Sequence, residues 1–205
     1  MRVLLASTNR HKLEELAAAL APSGIELVDP RSLGALPSVD EDAPDFAGNA
    51  RKKALSAARA SALWALADDS GLEVEALGGA PGVRSARFAG PGATDAANNR
   101  LLLERLVGVP PQRRGARFVC ALCLARPDGT IVAEAQGSAR GRILEAPRGA
   151  AGFGYDPLLL FDEPGQPGCG STYAELTQEQ KNQVSHRGRA IARLVEALRE
   201  RRARE

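Results

Sequence analysis

The 205-residue chain predicts an α/β fold built on a mixed β-sheet. Three observations carry this. Short apolar, β-compatible runs alternate with stretches in which apolar residues recur every three or four positions. Two apolar runs flank Pro127-Asp128-Gly129, the pattern of an antiparallel hairpin. Strands and helices also follow one another without a strict βαβ repeat, so an all-parallel sheet is not expected.

Arg2 to Ala6 (RVLLA) reads as the first strand and breaks at Ser7-Thr8-Asn9. Leu13, Leu16, Ala17 and Leu20 then mark a helix, with Asn9 as its N-cap. Ile25 to Val28 is a second strand, followed by an irregular segment from Arg31 to Asp45, rich in proline and acidic residues. A long alanine-rich helix is expected from Phe46 to Leu66, then the polar knot Asp68-Asp69-Ser70-Gly71 and a short strand at Leu72 to Val74. The segment Gly78 to Gly92 is a glycine-rich loop. The next helix spans Asp95 to Val107, with Thr94 as cap and Gly108 as stop. Residues 116–126 and 130–139 are the hairpin strands. Phe118, Cys120, Leu122 and Leu124 share one face, so one buried side is expected. Loops rich in glycine follow at Gly149 to Asp156 and Glu163 to Gly170. Two helical patterns end the chain, the last with an apolar stripe of Ile191, Leu194, Val195 and Leu198.

A chain of this length can bury one substantial core, and no linker or repeat divides it, so residues 1–205 are expected to form a single domain. The hydrophobic share of 44% and charged share of 25% are those of a globular protein rather than a disordered one. A net charge of +2 is too small to argue for nucleic-acid binding. The basic run at residues 186–205 reads as a solvated helix face with a frayed tail, although some of its arginines could face a phosphate. The apolar run after Arg2 is too short for a signal peptide, and nothing approaches a membrane span of roughly 18 residues. Three cysteines argue against a disulfide framework. Cys120 and Cys123 stand an odd number of residues apart on a strand, so their thiols point to opposite faces and read as small core residues. Cys169 reads as a loop thiol. A reducing, cytoplasmic setting fits this pattern.

Four polar clusters interrupt the apolar pattern. Ser7 to Lys12 lies where a strand end runs into a helix, a place where backbone N–H groups, hydroxyls and a lysine suit a phosphate. An ordinary cap with a surface lysine would look the same. No G-x-x-x-x-G-K-[ST] occurs, which excludes a P-loop mechanism. Asp40-Glu41-Asp42 is followed by Asn49 and Lys53, four apart on one helix face. A solvated acidic loop is the alternative. Asp68 and Asp69, adjacent after an apolar segment, would be costly to bury unpaired. Magnesium, a hard cation that prefers oxygen ligands, resolves that cost, as would a simple turn at Gly71. Gly152 to Pro157 places Phe153 between glycines, open enough to stack on a base. Near the C-terminus, Lys181, Ser185, His186 and Arg187 add donors, whereas His11 reads as a surface residue.

Together, in this order, these clusters are specific. They comprise Leu5-Ala6-Ser7-Thr8-Asn9 with Lys12; Phe46 with Asn49-Ala50 and Lys53-Ala54; and Ala67 to Leu72. They continue with Pro81-Gly82-Val83 and Ser85 to Gly90; Gly152 to Pro157; and Ala174-Glu175-Leu176 with Lys181-Asn182 and Ser185 to Gly188. Over nearly its whole length the chain resembles the Ham1 family of inosine triphosphate pyrophosphatases. The resemblance implies a two-lobed mixed sheet flanked by helices, with the active-site cleft between lobes, and a homodimer. It implies Asp69 as general base and metal ligand, with Glu41 and Asp68 as further carboxylates around magnesium. It places Ser7, Thr8, Asn9, Arg10, His11, Lys12, Lys53, Ser70 and Lys181 on the triphosphate. Phe153, Gly154, Tyr155 and Asp156 line the nucleoside pocket, with His186 and Arg187 beside the base. Two positions depart from the family pattern: Arg84 stands where tyrosine is common, and Asp40 to Asp45 is looser than the usual acidic motif.

The expected reaction is hydrolysis of ITP, dITP or XTP to the monophosphate and pyrophosphate, by attack of water on the α-phosphorus. Hypoxanthine and xanthine present an acceptor at position 6 where adenine presents a donor. A fixed donor, from Arg187 or a backbone N–H, would therefore discriminate strongly. The rival readings are a Maf-like pyrophosphatase, a non-catalytic nucleotide sensor and a nucleic-acid-binding module. Against them stand the absence of an S-x-R-R signature, the presence of Glu41, Asp68 and Asp69, and an aromatic share of only 4%.

Overall fold

A computed structural model describes residues 1–34 and 36–203. Ala35, in the irregular segment, and Arg204 and Glu205, at the end of the basic run, lie outside the described residues. Six strands form one mixed sheet in the order β2-β1-β3-β4-β5-β6. They are β1 (Arg2–Leu5), β2 (Glu26–Val28), β3 (Ala65–Val74), β4 (Gly115–Ala125), β5 (Ile131–Ile143) and β6 (Leu159–Phe161). The helices are α1 (Arg10–Leu20), α2 (Phe46–Ser61), α3 (Asp95–Arg105), α4 (Gln178–Val184) and α5 (His186–Arg202). β1 is parallel to both β2 and β3, whereas β5 and β6 run antiparallel, which makes the sheet mixed as expected.

The chain divides into two compact units. The first comprises Met1–Asp69, Cys120–Gly137 and Arg187–Glu205. Its core joins Val3 and Leu5 of β1, Leu16 and Leu20 of α1 and Leu66 of β3. Cys120, Leu122 and Leu124 of β4 and Ala190, Ile191 and Leu194 of α5 complete it. α1 begins as its sequence requires: the Asn9 side chain accepts the Lys12 N–H at 3.1 Å. α2 begins at Asp45, whose carboxylate accepts the Gly48 N–H at 2.7 Å, and it buries Ala50, Ala54, Ala57 and Ala58.

That helix stops well short of Leu66. Ala62 adopts the left-handed conformation at φ 55°, and the Ser61 hydroxyl takes the Leu63 N–H while donating to the Ala57 carbonyl. The stop therefore carries no glycine to announce it. β1 then draws the chain into β3 from Ala65, through Leu4 N–H to the Trp64 carbonyl and Ala6 N–H to the Leu66 carbonyl, each 2.8 Å. Consequently β3 is one continuous strand, and Asp68-Asp69-Ser70-Gly71 lies within it rather than in a turn between elements.

The second unit comprises Ser70–Val119 and Ser138–His186. Its core gathers Leu72 and Val74 of β3, Leu102 and Leu106 at the end of α3, Phe118, Ile143, Tyr155, Phe161 and Tyr173. The Tyr173 ring meets Phe118 and Phe161 edge-on, at centroid distances of 5.4 and 5.7 Å. α3 starts at Thr94 as expected. Gly71 is required by close approach: a Cβ there would lie 2.3 Å from Ser85 Oγ and 2.7 Å from the Gly82 carbonyl. Ser85 Oγ accepts the Leu72 N–H and donates to Gly82, which fastens the Pro81–Arg87 loop to β3.

Two further expectations are corrected. β4 is buried on both faces from Phe118 to Ala125, because Val119, Ala121 and Cys123 are covered as fully as Cys120 and Leu122. β5 runs on to Ile143, beyond the expected end at 139. Gly141 permits close pairing with β6: a Cβ there would sit 2.1 Å from the Leu160 carbonyl.

Candidate active site

In the first unit, the alternation of β3 sends Asp68 and Asp69 into different surroundings. Asp68 is 1% exposed. Its Oδ1 pairs with Lys12 Nζ, and its Oδ2 accepts from Arg187 Nε at 3.0 Å and from the Cys120 thiol at 3.1 Å. Arg187, itself 3% exposed, also donates from Nη1 to Glu15. Lys12 and Glu15 stand three apart on α1, so one helix face delivers both ends of this network. Burial opposes the charge on Asp68, but Arg187 and Lys12 outweigh it and hold the carboxyl well below its ordinary range.

Asp69 is 5% exposed and has a weaker set of partners. Lys53 Nζ lies 2.7 Å from Oδ1, and Asn49 Nδ2 donates to Oδ2 at 3.2 Å. Here burial raises the carboxyl pKa, and Lys53 offsets that only in part. Lys53 also reaches Glu41 Oε2 at 3.4 Å. Burial disfavours its charge, but Asp69 and Glu41 more than compensate and keep it a firm ammonium. Asn49 is fixed in turn, its Oδ1 accepting the Ala43 N–H. α2 thus carries Asn49 and Lys53 on one face toward Asp69, as their spacing requires.

Glu41 and Asp69 already share one cation, the Lys53 ammonium, so the two carboxylates converge on a common point. Among the described residues, no three His, Cys, Asp or Glu side chains do so. Asp68, the third carboxylate expected at the metal, is paired with Lys12 and Arg187. Two carboxylates suit magnesium, which commonly takes one or two from protein and completes its shell with water and substrate phosphates. The donor set therefore fits that ion.

The rest of the Ser7–Lys12 segment is arranged locally. Ser7 Oγ accepts the Asn9 N–H, Arg10 pairs with Glu14, and Thr8 and His11 are exposed. Lys12 of this segment reaches Asp68 of β3.

In the second unit, Asp156 organises the glycine-rich segment. Its Oδ2 accepts the Phe153 N–H at 3.0 Å and Lys181 Nζ at 2.8 Å. Lys181 also lies 5.7 Å from the centre of the Phe153 ring. It is thus placed with the aromatic segment of this unit. Phe153 is half-buried, whereas Tyr155 is buried and donates its hydroxyl to the Ser85 carbonyl at 2.8 Å. Tyr155 therefore braces the Pro81–Arg87 loop. His186 stacks on Phe118 at 4.9 Å, and Ser70 is half-buried on β3. Arg84 is exposed on the loop that Tyr155 braces.

Comparison with known proteins gives this geometry a lineage. The Ham1 family model matches residues 3–197. The chain belongs to the Ham1 family. A Ham1 relative from Desulforamulus reducens, described as a dITP/XTP pyrophosphatase, is 49% identical over 97% of this chain and 96% of its own. Another so described, from an Anaeromyxobacter species, is 47% identical over 100% of this chain and 99% of its own. A HAM1 protein structure from Coxiella burnetii matches with a TM-score of 0.84 at 38% identity, covering 98% of this chain and 99% of that one. The Ham1 protein of Staphylococcus aureus matches at 0.83 and 35%, covering 98% and 100%. Among the described residues, no helix of this Ham1 chain is long and apolar enough to cross a membrane. Sequence reasoning missed two members of the carboxylate network. Glu15 was signalled only by its spacing from Lys12, and Cys120, read as a core residue, carried no signal of its contact with Asp68.

Proposed function

We propose that this protein hydrolyses the triphosphates of deaminated purines, dITP, ITP and XTP, to the monophosphate and pyrophosphate. The observation that carries the proposal is the contrast between the partners of the adjacent carboxylates of β3: Asp68 is paired with Lys12 and Arg187, whereas Asp69 shares Lys53 with Glu41 and accepts from Asn49. Pairs of acids driven apart by their surroundings mark acid–base chemistry. Near-half identity to proteins described as dITP/XTP pyrophosphatases supports the substrate class, and favours it over a Maf-like enzyme or a sensor.

In this reading Asp69 takes a proton from the attacking water, and a raised pKa makes it a better acceptor. The oxygen of that water bonds to the α-phosphorus, the bond to the β-phosphate oxygen breaks, and pyrophosphate leaves. Lys12 and Lys53 absorb negative charge on the phosphates, so much of the rate comes from fixed electrostatics. Glu41 and Asp69 would hold magnesium, a Lewis acid that polarises phosphoryl oxygens when bound. Phe153 stacks on the base, and Lys181 and Asp156 fix the segment that carries it. Discrimination then rests on a hydrogen-bond donor facing position 6 of the purine, which adenine's amino group cannot satisfy.

The test is turnover of ITP, XTP, ATP and GTP with and without magnesium, with pyrophosphate and orthophosphate measured separately. Magnesium-dependent pyrophosphate from ITP and XTP, with little from ATP or GTP, is the expected result. Orthophosphate as the direct product would mean attack at the γ-phosphorus and a wrong mechanism.

A further inference from the structure

Phe153 sits between Gly152 at φ 79° and Gly154 at φ 61°, two left-handed positions where a glycine backbone is freest. A ring carried on such a segment has no fixed direction unless something outside the segment holds it. The structure shows what does. Gly154 N–H donates to Asp95 Oδ2 at 2.7 Å, and the Gly154 carbonyl accepts from Asn99 Nδ2 at 2.9 Å. Asp95 and Asn99 stand four apart on α3 and so lie one above the other on one face. They grip the same glycine from both sides, while Asp156 holds the preceding N–H, that of Phe153.

The helix that supplies this grip is itself firmly set. Leu102 and Leu106 anchor its far end in the core of the second unit. Between the two gripping residues, Asn98 is 2% exposed, accepts the Ala89 N–H at 2.8 Å and donates to the Ala86 carbonyl at 3.2 Å. Three polar residues of one helix thus pin two loops. Asp95 in the first turn also suits the helix dipole, but its carboxylate is turned to the Gly154 amide of a distant loop.

We propose that Asp95 and Asn99 are positioning residues for base recognition, which aim the Phe153 ring by clamping Gly154. The proposal rests on the reading that Phe153 stacks on the purine. It predicts that loosening the clamp weakens nucleoside binding without touching the phosphate chemistry. The experiment compares KM and kcat for ITP, and the inhibition constant of inorganic tripolyphosphate, which has no base. The variants are Asp95→Ala, Asn99→Ala and Asp95→Asn, each in the native and the Phe153→Ala background.

Loss of either clamp bond should raise KM roughly fivefold, the factor that one hydrogen bond commonly carries. The rate constant kcat should stay within about twofold and tripolyphosphate inhibition should not change. Asp95→Asn, which keeps an acceptor oxygen, should recover most of the loss. In the Phe153→Ala background the clamp substitutions should add little, because there is no ring left to aim. An unchanged KM, a parallel loss of tripolyphosphate binding, or a full fivefold effect without the ring would each overturn the proposal. If Phe153→Ala alone leaves KM unchanged, the stacking reading fails and the clamp's role with it. If Phe153→Ala raises KM while the clamp variants do not, the clamp alone is wrong. Asn99→Ala loosens the same glycine from the other side, so the test survives if Asp95→Ala does not fold.

Discussion

Replacing Arg187 with methionine separates an organising role for this residue from a role on the base alone. Methionine keeps much of the volume but removes every donor. In the structure that leaves two carboxylates short of a partner: Asp68, with no exposed side-chain surface, and Glu15, with 12%. Orphaning a buried charge costs about 3–5 kcal/mol. Asp68 keeps Lys12 and the Cys120 thiol, so the lower end, about 3 kcal/mol, is expected. The loss has a pH signature. Arg187 lowers the folded pKa of Asp68 against the opposing effect of burial, so its stabilisation is present above the ordinary value of 3.8. It disappears as pH falls below 3.8 through the folded value, where Asp68 takes up a proton in wild type as well. The gap between wild type and variant, measured by urea denaturation, should therefore be full at neutral pH and narrow in acid. A gap below about 0.5 kcal/mol at neutral pH, within the range of an ordinary surface change, would refute the reasoning. So would a gap that does not change with pH.

Three further outcomes follow from particular contacts. Gly71→Ala should cost about 2–3 kcal/mol in urea denaturation, because its Cβ would be driven into Ser85 Oγ and the Gly82 carbonyl; a neutral effect would mean that loop is free to move away. In the native protein, an aromatic disulfide reagent should modify the exposed Cys169 quickly and the buried Cys120 and Cys123 only on unfolding. Burial pushes the Cys123 thiol up to about 12, far from the thiolate that such reagents need. Two fast thiols in the folded state would contradict this burial. Arg187→Ala should also be assayed for its ratio of ITP to ATP efficiency, and an unchanged ratio would remove that guanidinium from base selection.

Much of the frame was legible because local chemistry and tertiary structure agree there. Asn9 and Thr94 cap the helices their positions announce, and Gly129 closes the hairpin that Pro127-Asp128-Gly129 marks. The misreadings occur where distant partners decide. α2 ends at Ala62, in a left-handed conformation that alanine rarely adopts, because β1 claims the next residues for the sheet. Nothing in the alanine-rich run reveals that. β4 looked like a strand with one wet face, since a count of apolar positions cannot show that both faces are covered. At the site, the identities of Asp68, Asp69 and Lys53 were visible, but their partners were not. Cys120 bonds Asp68 from β4 and Glu15 bonds its partner Arg187 from α1, and only folding brings these elements to β3.

The adjacency of Asp68 and Asp69 is best understood as a division of labour imposed by the strand. Neighbours on a strand point to opposite faces, so two identical side chains meet two environments. Asp68 finds two cations and a thiol and is stabilised as an anion; Asp69 finds one shared lysine and an amide, and remains able to take a proton. The two Asp→Asn substitutions should therefore fail differently. Asp69→Asn removes the proton acceptor, and turnover of ITP should fall by about a thousandfold while the protein stays folded, since an amide is cheaper than a carboxylate to bury. Asp68→Asn leaves Arg187 and Lys12 facing a neutral group. Its chief loss should be stability, seen as a lower urea midpoint at neutral pH, with activity per folded molecule less affected. If Asp68→Asn instead abolishes turnover at unchanged stability, then Asp68 belongs to the reacting centre, and the contrast in environment has been misread.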